Sequence, residues 1–298
     1  MDEPSLRKSR LAVAGGLAAV LLVGGSGFLV GRGTSSRDPV PVEATPVIAP
    51  ALAYVPPPVQ PNPRSQVMTR RDLIALASQA ADAAASGRHA PAAVGDAGGR
   101  RFEVRIPFGC QGPSDTLSKA AMRWRYDPEA KALRVHVDPV VWNKMDFLPL
   151  ELPATVEAIE GFWIAHPWTS SESCPPAGDG PAGSSSEPVT LPGQTLALAQ
   201  FFGTDGARQG RRDDRPYDTV VRMAPDELHG EQGFRLKIRG RIANIPGSGP
   251  VSCRQPAGAE QRPICVVGIV TDEIAIENPA TSTVLATWTV EARGPASQ

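Results

Sequence analysis

The chain of 298 residues contains no Walker loop, no G-x-S-x-G and no H-E-x-x-H, so nothing points to a P-loop nucleotidase, an elbow-type serine hydrolase or a zincin. Its four cysteines include no C-x-x-C, which argues against a thioredoxin-like redox pair and against a structural zinc site. The four histidines, His89, His136, His166 and His229, stand too far apart in sequence to form a local metal-ligand pair. Charge of one sign is missing as well. Thirty Lys and Arg oppose 31 Asp and Glu for a net charge of −1, so the total gives no indication of nucleic acid as a partner. No cofactor is expected. Two short matches have no structural context. Gly178, Gly180 and Gly183 fall in G-x-G-x-x-G order, but Pro175, Pro176 and Pro181 spoil the strand and helix that a dinucleotide site needs. Ser5 and Lys8 have the S-x-x-K spacing but precede a hydrophobic run.

That run, residues 11–30, holds twenty residues without a charge, enough α-helix to cross a ~30 Å hydrocarbon core. Arg7, Lys8 and Arg10 precede it, while Arg32 and Arg37 follow more sparsely. This bias places residues 1–10 in the cytoplasm and the remainder outside. A secretory signal would have a shorter apolar region ending at an A-x-A-like site, whereas this run exits into Gly31-Arg32-Gly33-Thr34. The expectation is therefore an uncleaved anchor in the inner membrane, with the lipid bilayer as its first partner. Ala14 with Ala18, and Gly27 with Gly31, are small-xxx-small pairs of the kind that bring two membrane helices together, so a homodimer through this helix is one reading. The simpler reading is that Gly and Ala are common in membrane helices.

Residues 31–67 read as a linker. Nine prolines lie between residues 39 and 63, ending in VPPPVQPNP, and such a segment adopts extended polyproline II. At about 3.1 Å per residue it spans roughly 80 Å. The layout resembles that of TonB-like and secretion-system inner-membrane proteins, in plan and without a shared motif. MTRRDLIALASQAADAAASG, residues 68–87, predicts a helix with Thr69 and Asp72 at its start and Gly87 at its end. Its apolar face is Leu73, Leu76, Ala77, Ala80 and Ala84. Residues 87–100 read as a flexible link.

From residue 100 to 292 the period changes to two, and the spacing predicts a mainly β domain, an antiparallel sandwich or barrel-like fold. RFEVRIPF (101–108) turns Phe102, Val104, Ile106 and Phe108 to one face. MRWRY (122–126) and ALRVHV (132–137) flank DPEAK and predict a hairpin with Arg123, Arg125, Arg134 and His136 outward. Further strands are expected in 157–168, 196–202, 219–223, 234–242, 265–277 and 283–290. The Gly/Pro/Ser-dense stretch 171–190 is either an insertion or a boundary between two small domains. Cys253 and Cys265 bracket a short Pro/Gly-rich loop and predict one disulfide; Cys110 with Cys174 follows by elimination, as expected in an oxidising periplasm.

One pattern is candidate for binding. Arg235, Lys237, Arg239 and Arg241 alternate along FRLKIRGRI and offer one strand face to an anionic partner, as Arg123, Arg125 and Arg134 do on the hairpin. Arg208, Arg211, Arg212 and Arg215 surround Asp213 and Asp214 in a third basic stretch. The simpler reading is the polar outer face of a half-exposed sheet. His166 lies between Trp163 and Trp168, a stretch that reads as core before it reads as a sugar platform. Together these features predict a non-enzymatic envelope scaffold whose disulfide-stapled domain binds another envelope protein. The alternative is an anchored periplasmic hydrolase or cell-wall enzyme with a site assembled from scattered residues.

Overall fold

In the computed structural model, helix α1 (Arg70–Ala85) begins where Asp72 accepts two hydrogen bonds at 2.8 Å from Thr69, one from its backbone N–H and one from its hydroxyl. The carboxylate thus serves both the capping groups and the positive end of the helix dipole. The helix ends in a Schellman turn: Arg88 N–H donates to the Ala83 carbonyl, Gly87 N–H donates to Ala84, and Gly87 takes φ +62°. The structure describes residues 66–147, 150–175, 195–204, 210–256 and 258–290, all within the unit Val59–Gln298. The expected cytoplasmic tail, membrane helix with Ala14, Ala18, Gly27 and Gly31, and nearly all of the proline linker lie outside the described residues. Among the described residues no helix is long and apolar enough to cross a membrane.

The buried face of α1 is Leu73, Leu76, Ala77, Ala80, Ala81 and Ala83; Ala84, expected inside, is exposed. Residues 87–100 are not a loose link. They carry a one-turn helix α2 (Ala92–Gly95) in contact with α1, with Val94 and Ala97 buried in the core. Small apolar residues in a polar, glycine-rich stretch gave no periodic signal, and burial came from the packing alone.

The domain is mainly β. Its strands are β1 (Arg101–Phe108), β2 (Met122–Asp127), β3 (Ala132–Val137), β4 (Val140–Trp142), β5 (Val156–Trp163) and β6 (Leu196–Gly203). They continue with β7 (Tyr217–Arg222), β8 (Phe234–Ile242), β9 (Val251–Arg254), β10 (Ile264–Asn278) and β11 (Thr283–Thr289). The short strands β4 and β9 were not legible in the sequence. Eight strands form one sheet in the order β1-β8-β10-β6-β5-β4, with β9 and β11 also paired to β10. The other sheet is β2-β3-β7. The hairpin β2–β3 has the expected register, with Arg125 opposite Arg134.

β10 organises the large sheet. Its first half pairs with β9 and β6, and its second half with β8 and β11. Pairing with β8 begins at Ile269, and a bulge between Thr271 and Glu273, where an extra residue turns the strand, precedes the stretch that also pairs with β11. All pairings between named strands are antiparallel except β6 with β10, which run parallel. The wholly antiparallel expectation is corrected at this one pair, because alternation along a strand carries no information about its neighbour's direction.

The main core brings α1 and the inner faces of β1, β8 and β10 together with Trp124, Leu133, Val135, Val137 and Tyr217 of the small sheet. Trp124 meets Phe234 edge-on at 5.2 Å, and Phe108 lies 6.2 Å from the same ring. A second cluster on β5 and β6 contains Phe147, Val156 and Ile159, with Trp142, Trp163 and Phe201 packed on it. Trp163 is therefore a core-packing residue, whereas Trp168 is 54% exposed. Both expected disulfides are present. Cys253–Cys265 joins directly opposed residues of β9 and β10, and Cys110–Cys174 ties the end of β1 to the loop after β5.

Candidate functional site

The small sheet turns its apolar side chains inward, which leaves Arg123, Arg125, Arg134, His136, Asp218 and Val220 on the opposite face by the two-residue period. These residues line a groove of about 370 Å³, rimmed by Ser114, Asp115 and Thr116. The carboxylate of Asp115 accepts the Leu117 N–H at 3.2 Å and the Thr116 hydroxyl at 3.1 Å, which holds its pKa below the usual value.

The groove has two electrically different ends. At one, the His136 ring spans two carboxylates, with Nδ1 2.6 Å from Asp218 and Nε2 2.8 Å from Asp138. Arg123 joins this end, 3.7 Å from Asp138 and donating to the Ala120 carbonyl at 2.6 Å. At the other end Arg125 and Arg134 sit opposite each other across β2 and β3. Both are exposed, and no carboxylate among the described residues pairs with either. Their Cα atoms belong to a hydrogen-bonded pair, for which the separation is about 5.5 Å. Two neighbouring guanidiniums without counter-ions can grip a carboxylate or phosphate with parallel N–H bonds. Val220, 56% exposed and opposite Arg134, supplies apolar surface beside them.

The β8 face is different. Arg235, Lys237, Arg239 and Arg241 do share one side of the strand, but acidic residues from the neighbouring strands interleave with three of them. Lys237 Nζ lies 3.2 Å from Glu273 and 3.1 Å from Glu277; Arg239 lies 3.3 Å from Glu103; Arg241 lies 3.5 Å from Asp272. Arg235 donates to the Ser173 hydroxyl at 2.7 Å. Arg105 completes the ladder at 2.6 Å from Glu103 and 2.8 Å from Glu277. Burial works to raise the Glu277 pKa, but the hydrogen bonds and charges of Arg105 and Lys237 outweigh it and hold it below the ordinary value. Burial likewise opposes the Arg105 charge, and Glu277 with Glu103 more than offsets it.

The third basic stretch is occupied by structure. Glu160, 5% exposed, accepts the backbone N–H groups of Arg212 and Asp213 at 2.8 and 3.0 Å. Arg211 pairs with Asp213 and Glu157, and Arg212 lies 4.5 Å over the Tyr217 ring. Arg208, and the glycines Gly178, Gly180 and Gly183, lie outside the described residues. His166 and His229 do not line the groove. The His166 ring meets Trp168 edge-on at 5.3 Å, and His229 is 3.8 Å from Glu231.

One residue escaped the sequence reading. Arg70 is 1% exposed and holds the loop after β5 by its carbonyls, donating to Thr169 at 3.0 Å, to His166 at 3.1 Å and to Ala165. Burial lowers its pKa, with Glu172 partly offsetting that. The helical phase contained the signal, since positions 70, 73 and 77 fall on one face.

No family model matches the chain, and neither a curated protein nor a solved structure matches it.

Proposed function

We infer that this chain is a non-enzymatic, single-pass envelope protein whose β-sandwich domain binds an anionic surface of another envelope protein. In this reading residues 11–30 anchor it in the inner membrane with the N-terminus in the cytoplasm. Within the linker 31–67, the 25 proline-rich residues 39–63 then hold the domain up to roughly 80 Å out in the periplasm. Two disulfides suit that compartment. The observation that carries the binding reading is the Arg125–Arg134 pair. Among the described residues two adjacent guanidiniums stay unmatched in a groove, while most of the basic side chains of β8 are neutralised.

The test is in-cell crosslinking of the full-length protein, extraction in mild detergent and identification of what accompanies it. A reproducible set of envelope proteins is expected with the unaltered chain, and its loss with Arg125→Gln/Arg134→Gln while the melting temperature holds. Recovery of the same set with the double variant, or of the protein alone with the unaltered chain, would overturn the reading.

A further inference from the structure

Sheet edges are hazards, and this protein closes most of one of them completely. On the outer edge of β1, Met68 N–H donates to the Arg101 carbonyl at 2.8 Å and the Met68 carbonyl accepts Glu103 N–H at 2.9 Å. Glu172 then accepts Arg105 N–H at 3.1 Å, Arg70 reaches the Arg105 carbonyl, and Pro107 has no N–H to offer. These are the devices by which edge strands are blunted. On β2, Ser114 N–H covers the Trp124 carbonyl at 2.7 Å.

Among the described residues β7 has no such guard. Met223 N–H donates to the Lys131 carbonyl at 3.0 Å, one step beyond the pair Arg222–Ala132. By the alternation of antiparallel ladders, Tyr217, Thr219 and Val221 therefore bond to β3, while the N–H and C=O groups of Asp218, Val220 and Arg222 point away from it. Among the described residues no backbone partner meets these groups. The Tyr217 end is flanked by β11, whose Trp288 ring lies 5.2 Å from Tyr217. The stretch 218–222 contains no proline, no lysine and no bulge.

We propose that this edge of β7 is a strand-addition site that takes an extended acidic segment of a partner protein, with its carboxylates reaching Arg134 and Arg125 across Val220. This rests on the binding reading above and specifies its partner chemistry. Backbone pairing supplies affinity without regard to sequence, and the side chains on the groove side supply selection. The Asp218 end is already acidic and engaged with His136, so the partner's carboxylates belong at the end formed by Val220, Arg222 and Arg134. The exposed Val220 takes an apolar neighbour. A groove beside an open edge fits a peptide chain better than it fits a flat bilayer of head groups.

The experiment is hydrogen exchange, read by mass spectrometry on the full-length protein in detergent, with a synthetic alternating Glu/Val heptapeptide and its Lys/Val counterpart as probes. The Glu/Val peptide is expected to slow exchange in the segment carrying residues 217–223, and the Lys/Val peptide to leave it unchanged. Val220→Pro, which removes an outward N–H at an edge position where proline is tolerated, should abolish the slowing. Arg125→Gln/Arg134→Gln should weaken it about tenfold or more, as expected for lost charge-assisted hydrogen bonds. No slowing on the unaltered chain would overturn strand addition, and equal slowing by both peptides, or full slowing with the double Arg variant, would overturn the choice of an acidic segment. If the double variant loses its envelope partners in cells while the Glu/Val peptide leaves β7 untouched, the groove still binds and only this mode falls. If the partners stay, the binding reading itself falls.

Discussion

Arg125 and Arg134 face each other directly, and like charges in that position destabilise a sheet by about 0.2–1 kcal/mol. Arg134→Gln should therefore leave the melting temperature equal or slightly raised while it weakens partner retention. A fall in stability would show that the pair has a structural role. Lys237 is the opposite case. Its side chain is 12% exposed and its ammonium lies between Glu273 and Glu277, so Lys237→Gln leaves two carboxylates crowded together. The expected loss is about 1–3 kcal/mol in urea denaturation. The cost follows from the acidic partners that β1 and β10 bring to this face of β8. Arg70→Met should cost about 3 kcal/mol or more, since four backbone carbonyls lose a buried guanidinium donor. These contacts were not legible in the sequence, because partners such as Ala165 and Thr169 are distant in the chain and offer only main-chain atoms.

At the scale of elements, the charge ladder between β1, β8 and β10 gives the fold an acid limb. Glu277 has a folded pKa below its ordinary 4.5, so the stabilisation is present above that pH and is lost as pH falls through the folded value. Thermal melts should decline below pH 4.5, and Glu277→Gln should flatten that decline. Tyr217, where β7 meets the core, has the reverse sign. Burial pushes its hydroxyl from 10 up to about 12, with Glu160 adding to the rise and Arg212 opposing it. Its neutral form then contributes stability below pH 10 that disappears between pH 10 and 12, roughly 3 kcal/mol in all. Tyr217→Phe should remove this alkaline loss; an unchanged alkaline limb would refute the assignment. The strands themselves were legible where alternation ran for six residues or more, as in β1, β3 and β8. They were not legible in β4 and β9, whose three and four residues are too short for a period to declare itself.

For the whole molecule, the two disulfides close loops of very different length, 64 residues for Cys110–Cys174 and 12 for Cys253–Cys265. In the chain-entropy account the longer loop contributes about 4 kcal/mol and the shorter about 3. Separate Cys→Ala pairs should reproduce that order in denaturant titrations. The sequence by itself determined the positions of most strands, the helix 70–85 and the pairing of Cys253 with Cys265. Each of these depends on a period or a loop that is complete within about twenty residues. Only the tertiary structure decided that β6 runs parallel to β10, which carbonyls Arg70 holds, that most β8 cations are matched and that, among the described residues, Arg125, Arg134 and the β7 edge are not. Those outcomes depend on which strands become neighbours, and residues such as Lys237 and Glu277 reveal their pairing only once the chain between them has folded.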